Sequence, residues 1–110
     1  MASHKLPNYL RVHRKRIGFS QRDIAFLLGG RDSSRPCRYE HFSCTPVLRT
    51  ALALAVILRV PVRELFSGEY QEIENVVRRQ AQRLRDRLTT EQPDERRSRK
   101  LAHLRVICER

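Results

Sequence analysis

The chain has 110 residues, 40% hydrophobic and 6% aromatic with no Trp, and its 23 basic and 12 acidic side chains give a formal net charge of +11. That length allows one small domain with an extension but no multilayer core, and a core drawn from Leu, Val, Ile and Ala favours packed helices. The basic excess, densest in the first 30 residues, predicts a polyanionic partner, because such a field gathers phosphates before any specific contact forms.

In chain order, a first helix is expected from about Asn8 to Ile17, with Tyr9 or Leu10, His13 and Ile17 on one face and basic residues on the other, ended by Gly18. In FSQRD, Ser20 is suited to cap a second helix and Asp23 to return the bond, with Phe19 as a hydrophobic staple. Ile24, Ala25, Leu27 and Leu28 form that helix's apolar stripe, and Gly29-Gly30 supplies the turn. A short third helix falls between Ser33 and Phe42. Its awkward residue is Pro36, which lacks the N–H a helix interior needs. Capping at Ser33 or later places Pro36 in the first turn, where a missing donor costs nothing, and leaves Ser33 to Arg35 as a loop-like lead-in.

TPVLRTALALAVILRV follows, with Thr45 as the expected cap, Pro46 at the first helical position, and Leu48, Ala51, Leu52, Ala55 and Leu58 on the core face. PVRELF is a short fifth helix whose Val62, Leu65 and Phe66 close the core, with Gly68 as its punctuation. Beyond it the composition becomes highly charged. A long helix carries Tyr70, Ile73, Val77, Leu84 and Leu88 as a narrow stripe broken at Gln80, TTEQP turns the chain, and a last helix presents Leu101, Leu104, Ile107 and Cys108.

Three cysteines without a CxxC pair exclude a disulfide scaffold. The longest apolar run, ALALAVIL, has eight residues where a bilayer span needs about 18. MASHKLPNYL lacks the longer apolar stretch of a signal peptide, so a cytoplasmic protein with no membrane partner is expected. Cys37, His41 and Cys44 have metal-like spacing, but zinc would need a fourth ligand brought by the fold, and no metal is expected. No glycine-rich phosphate loop, nucleophile elbow or acid–base pair is present, so neither an enzyme nor a cofactor is expected.

Residues Leu10 to Phe66, about half of the chain, resemble the phage-repressor helix-turn-helix family, also called Cro/CI or XRE-like. The likeness is carried by LRVHRKRIGFSQRDIA, RYE and PVLRTALALAVILRVPVRELF, with Gln21, Ala25, Glu40, Pro46, Ala55, Leu58 and ELF in the family's order. Composition and the apolar pattern make the chain all-α with a helical extension over 69–110 for dimerisation or partner binding, and the resemblance implies a compact five-helix domain over residues 8–67. The resemblance also implies an ion pair between Arg14 and Glu40. Base contacts would come from Ser33, Ser34, Arg35 and Arg38, and phosphate contacts from Gln21, Arg22, Arg16, Arg31 and His41. Two departures stand out: the interval from Gln21 to Glu40 is one residue longer than usual, and Pro36 occupies an apolar core position of the third helix.

The expected function is that of a sequence-specific regulator of transcription, a repressor bound as a dimer in the major groove of double-stranded DNA. The alternative is a protein-interaction module, an antitoxin or adaptor, that keeps the scaffold but binds DNA weakly and without specificity.

Overall fold

The computed structural model describes residues 8–30, 32–42 and 44–109. Among them every regular element is a helix: α1 Leu10–Ile17, α2 Gln21–Leu27, α3 Ser34–Glu40, α4 Leu48–Leu58, α5 Val62–Leu65, α6 Ser67–Leu88 and α7 Glu95–Cys108. The chain is therefore all-α. It divides into two units between Tyr70 and Gln71, inside α6.

In the first unit, Asn8 fixes the start of α1 from outside the helix. Its Oδ1 accepts the Leu10 N–H at 3.1 Å and its Nδ2 donates to the Tyr39 carbonyl at 2.8 Å, while the Tyr9 N–H donates to the Leu65 carbonyl at 2.8 Å. The face turned inward matches the expected one at Leu10 and departs from it at Arg14 and Ile17. Leu10 and Arg14 are buried, whereas Tyr9 and Ile17 are half exposed. A charged residue occupies the inner stripe because its partners wait there, and apolar periodicity passes over it. At the other end Gly18 adopts φ +101°, and the N–H groups of Gly18 and Phe19 reach back to the Lys15 and Arg14 carbonyls.

α2 opens on the expected reciprocal cap: Ser20 Oγ accepts the Asp23 N–H at 3.0 Å and Asp23 Oδ2 accepts the Ser20 N–H at 2.9 Å. Ile24 and Ala25 are buried and Leu28 packs on the core, but Leu27 lies outside it. Gly29, at φ +87°, ends the helix with Gly29 N–H on the Phe26 carbonyl and Gly30 N–H on that of Ala25.

α3 has Ser33 as its cap residue, and the first helical bond runs from Cys37 N–H to the Ser33 carbonyl at 3.0 Å. Pro36 is thus the third helical residue, inside the set of donors that have no intrahelical acceptor. The lead-in is shorter than expected, because Ser34 and Arg35 are already helical. Asp32 overrides the pre-proline bias: its Oδ1 accepts both the Ser34 N–H at 2.9 Å and the Ser34 hydroxyl at 2.5 Å, holding the first turn closed. Pro36 itself is buried and borders a small interior gap with Leu10, Ile24, Tyr39, Leu54 and Leu58.

α4 begins at Leu48, two residues later than Pro46 suggested, with its first bond from Ala51 N–H to the Val47 carbonyl. Thr45 does not cap it; the hydroxyl donates to Glu69 Oε1 at 3.3 Å. The buried face is Ala51, Leu54 and Leu58 with Ala55 beside it, while Leu48 and Leu52 are exposed. α5 then seats Leu65, fully buried, and Phe66 against Leu54 and Leu58, with Val62 alongside. Each such fully buried Leu or Phe stabilises by about 1.5 to 3 kcal/mol. Gly68 does not punctuate; it lies in the first turn of α6, where the Tyr70 N–H bonds the Phe66 carbonyl.

The second unit is built from the rest of α6 and α7. Ala81, Leu88 and Leu104 are buried together, with Leu101, Ile107 and Cys108 packed on them. Asp94 caps α7, its Oδ1 accepting the Arg97 N–H at 2.6 Å. Leu88 joins this core as expected, but Ile73, Val77 and Leu84 remain exposed, together with Val76. No helix among the described residues is long and apolar enough to cross a membrane.

Candidate nucleic-acid interface

The centre of the first unit is a buried charge network. Arg14 Nε donates to Glu40 Oε2 at 2.5 Å and Arg14 Nη2 to Glu40 Oε1 at 3.0 Å, a bidentate fork between α1 and the last residue of α3. Arg14 Nη1 donates to the Phe19 carbonyl at 2.8 Å, and Gln21 Nε2 donates to Glu40 Oε1 at 3.1 Å. Each of the two charged residues is only 8% exposed. The Glu40 hydrogen bond raises the Arg14 pKa above its ordinary value against the opposing effect of burial, so the guanidinium stays charged. One carboxylate thereby fastens α3 to α1 and to the first residue of α2.

This network anchors a seven-residue helix. So short a segment does not hold helical structure alone, since nucleation outweighs the few hydrogen bonds gained. Here Asp32 closes its beginning, Glu40 anchors its end, and Pro36 and Tyr39 plug its inner face into the core. The outer face is consequently fixed in direction. Ser34, Arg35 and Arg38 lie on it, exposed.

The residues named for base contact are not equivalent. Arg35 and Arg38 carry guanidinium forks able to pair with guanine O6 and N7. The Ser34 hydroxyl is committed to Asp32, and Ser33 is the half-buried cap residue. Asp32 brings a carboxylate to the same edge, and its pKa is lowered by the Ser34 hydrogen bonds and, more weakly, by Arg38 and Arg35. Sequence reading set Asn8 at the start of the first helix but did not foresee that Asn8 and Asp32 each hold the backbone N–H two residues on. The signal was there: Asp or Asn two residues before the first helical N–H is the spacing of a side chain that mimics a backbone turn.

Of the residues named for phosphate contact, Arg16 and Arg22 are exposed and Gln21 is half-buried with one amide hydrogen already on Glu40. Arg31 lies outside the described residues. His41 is exposed at the end of α3, with Nδ1 2.8 Å from the Cys37 carbonyl oxygen and 3.5 Å from Cys37 Sγ. A carbonyl only accepts, so Nδ1 carries a hydrogen and only the imidazolium has an Nε2–H left for a phosphate. Cys37, Cys44 and Cys108 are free thiols. Among the described residues no three His, Cys, Asp or Glu side chains gather as a metal-binding set. Beside the start of α3 a cleft of about 290 Å³ opens between the α2–α3 turn and Thr50 of α4, edged by Asp32, Ser34 and Arg35.

Comparison of the chain with protein-family models, curated proteins and solved structures gives no match.

Proposed function

We propose that this chain is a sequence-specific double-stranded DNA-binding regulator of transcription, a repressor that sets α3 in the major groove and acts as a dimer. α1 to α5 form a repressor-like helix-turn-helix domain in this reading, and the remainder of the chain supplies the dimer contact. The observation that carries it is the pairing of a firmly anchored helix with an exposed basic face, edged by Asp32. Arg14, Gln21 and Glu40 lock α3 from within, while Arg35 and Arg38 stand exposed on its outer side. Arg22 and Arg16 add exposed positive charge at the beginning of α2 and on α1, suited to phosphates flanking the groove.

The test is selection from a randomised duplex pool at roughly physiological salt, where non-specific phosphate binding is already weak. A two-fold symmetric motif is expected, its half-site centres about 34 Å apart. Arg38→Ala is then expected to relax preference at one position of each half-site while leaving the others unchanged. Recovery of no motif, with affinity that merely collapses as salt rises, would sink the proposal. One observation favours the second reading, a protein-interaction module: Phe26 of α2 is 79% exposed, which suits an apolar partner better than a phosphate backbone.

A further inference from the structure

α4 is packed on one side only. Ala51, Leu54 and Leu58 face the core, and Thr50 borders the cleft at the α2–α3 turn. On the far side Leu48, Leu52 and Val56 follow one another at every fourth residue, 71%, 49% and 69% exposed, with Val47 just ahead of them at 70%. At 100° and 1.5 Å per residue, Leu48 to Val56 form a ridge about 12 Å long whose members fall within about 80° of one another, centred roughly 160° round the helix from Thr50. An aliphatic ridge left open and rimmed by polar groups marks a contact surface.

The rim of this ridge has one sign of charge. Arg49 stands along one edge and Arg59 at the C-terminal end, both exposed and neither paired with a carboxylate among the described residues. No acidic residue occurs from Thr45 to Arg63. Arg59 is also the residue at φ 58°, a left-handed position where glycine is the ordinary occupant, so its guanidinium is held there at a conformational cost.

We infer that this face of α4 is a docking site for an acidic amphipathic helix of a partner protein. Aliphatic side chains three or four residues apart on the incoming helix pack among Leu48, Leu52 and Val56, and its carboxylates reach Arg49 and Arg59 at the rim. Charge decides against a second copy of this chain, because two such faces placed together bring two arginines each and no acid to one seam. A nucleic acid sets phosphates against aliphatic carbon, and a membrane-surface helix turns a polar back to water, where α4 has the protein core behind its ridge. Because the ridge points away from the α2–α3 turn, a partner seated on it leaves Arg35 and Arg38 of α3 open, and docking is separable from base reading.

The experiment is selection on the full chain from a display library of randomised peptides long enough for about four helical turns, with a selected peptide then titrated by fluorescence anisotropy. The expected consensus has aliphatic residues three or four apart with Asp or Glu beside them. Leu52→Gln changes an exposed side chain in the middle of the ridge, and circular dichroism checks its fold; it is expected to weaken the peptide at least tenfold and to leave duplex binding unchanged. Arg59→Gly is expected to weaken the peptide about threefold while raising the melting temperature, opposite signs that a purely structural residue does not give. No consensus, a consensus without acid, or affinity unchanged by Leu52→Gln or by Arg59→Gly would each overturn the inference. So would sedimentation showing that Leu52→Gln separates copies of the chain, or phosphatidylserine vesicles that bind the wild-type chain and not this variant. None of these outcomes bears on base reading, which the duplex selection tests separately.

Discussion

Arg14→Met removes the head of the buried network and leaves its acid behind. The Glu40 side chain is 4% exposed, and of its three donors only Gln21 Nε2 would remain, while the Phe19 carbonyl would lose the Arg14 Nη1 bond. Stranding one partner of a buried ion pair costs about 3 to 5 kcal/mol, because the orphaned charge has lost water and gained nothing. A domain of this size has a total stability of about 5 to 15 kcal/mol, so the variant is expected to sit near its limit. The assay is urea unfolding followed by circular dichroism, for Arg14→Met, Glu40→Met and the two together. The double variant is expected to cost less than the sum of the singles by about 2 kcal/mol or more, since it leaves no unpaired charge. Added salt is expected to change the single-variant losses little, the pair being shielded from the ions that screen surface charges. Losses below about 1 kcal/mol, the value of an exposed pair, or simple additivity would refute the reasoning.

Other perturbations test the remaining parts. Gly18→Ala and Gly29→Ala meet no atom within 4 Å, so any loss comes from the backbone alone, at φ +101° and +87°; about 1 to 2 kcal/mol each is expected in the same unfolding assay. Arg59 holds a left-handed φ of 58° at the end of α4, and Arg59→Gly is expected to stabilise by roughly 1 kcal/mol, with melting temperature as the readout. The lowered Asp32 pKa means that its hold on Ser34 is complete above the ordinary carboxylate range and is lost as pH falls through the depressed value. The Ser34 amide resonance is expected to follow that titration, with Asp32→Asn abolishing it. In duplex binding, Arg22→Ala is expected to weaken all sequences alike and to lower the salt slope by about one, unlike Arg38→Ala.

Much of the fold could be read wherever a local rule names a specific atom. Ser20 and Asp23 three residues apart specify a reciprocal cap, and both of its bonds are present. Pro36 constrains where α3 can begin, and Ser33 is its cap. Faces were harder. α4 is apolar nearly all round, so periodicity alone could not choose Ala51, Leu54 and Leu58 over Leu48 and Leu52; packing from α5 decides it. Arg14 on the inner face of α1 runs against hydrophobic patterning altogether, and only likeness to a known arrangement suggested a partner 26 residues away. Thr45 illustrates the third kind of miss. A hydroxyl before proline is a natural cap, yet a distant carboxylate, Glu69, competes for it.

The convergence of α1, α2 and α3 on one carboxylate has a kinetic consequence. Opening α3 alone would expose Glu40 to water while leaving Arg14 in an apolar cleft, so that route is more costly than releasing the three helices together. Amide hydrogens of Tyr39 and Glu40 are therefore expected to exchange with solvent at the rate set by the whole unit, matching those of Arg14 and Ile24. The shortest of these three helices, alongside α2, inherits the lifetime of the domain.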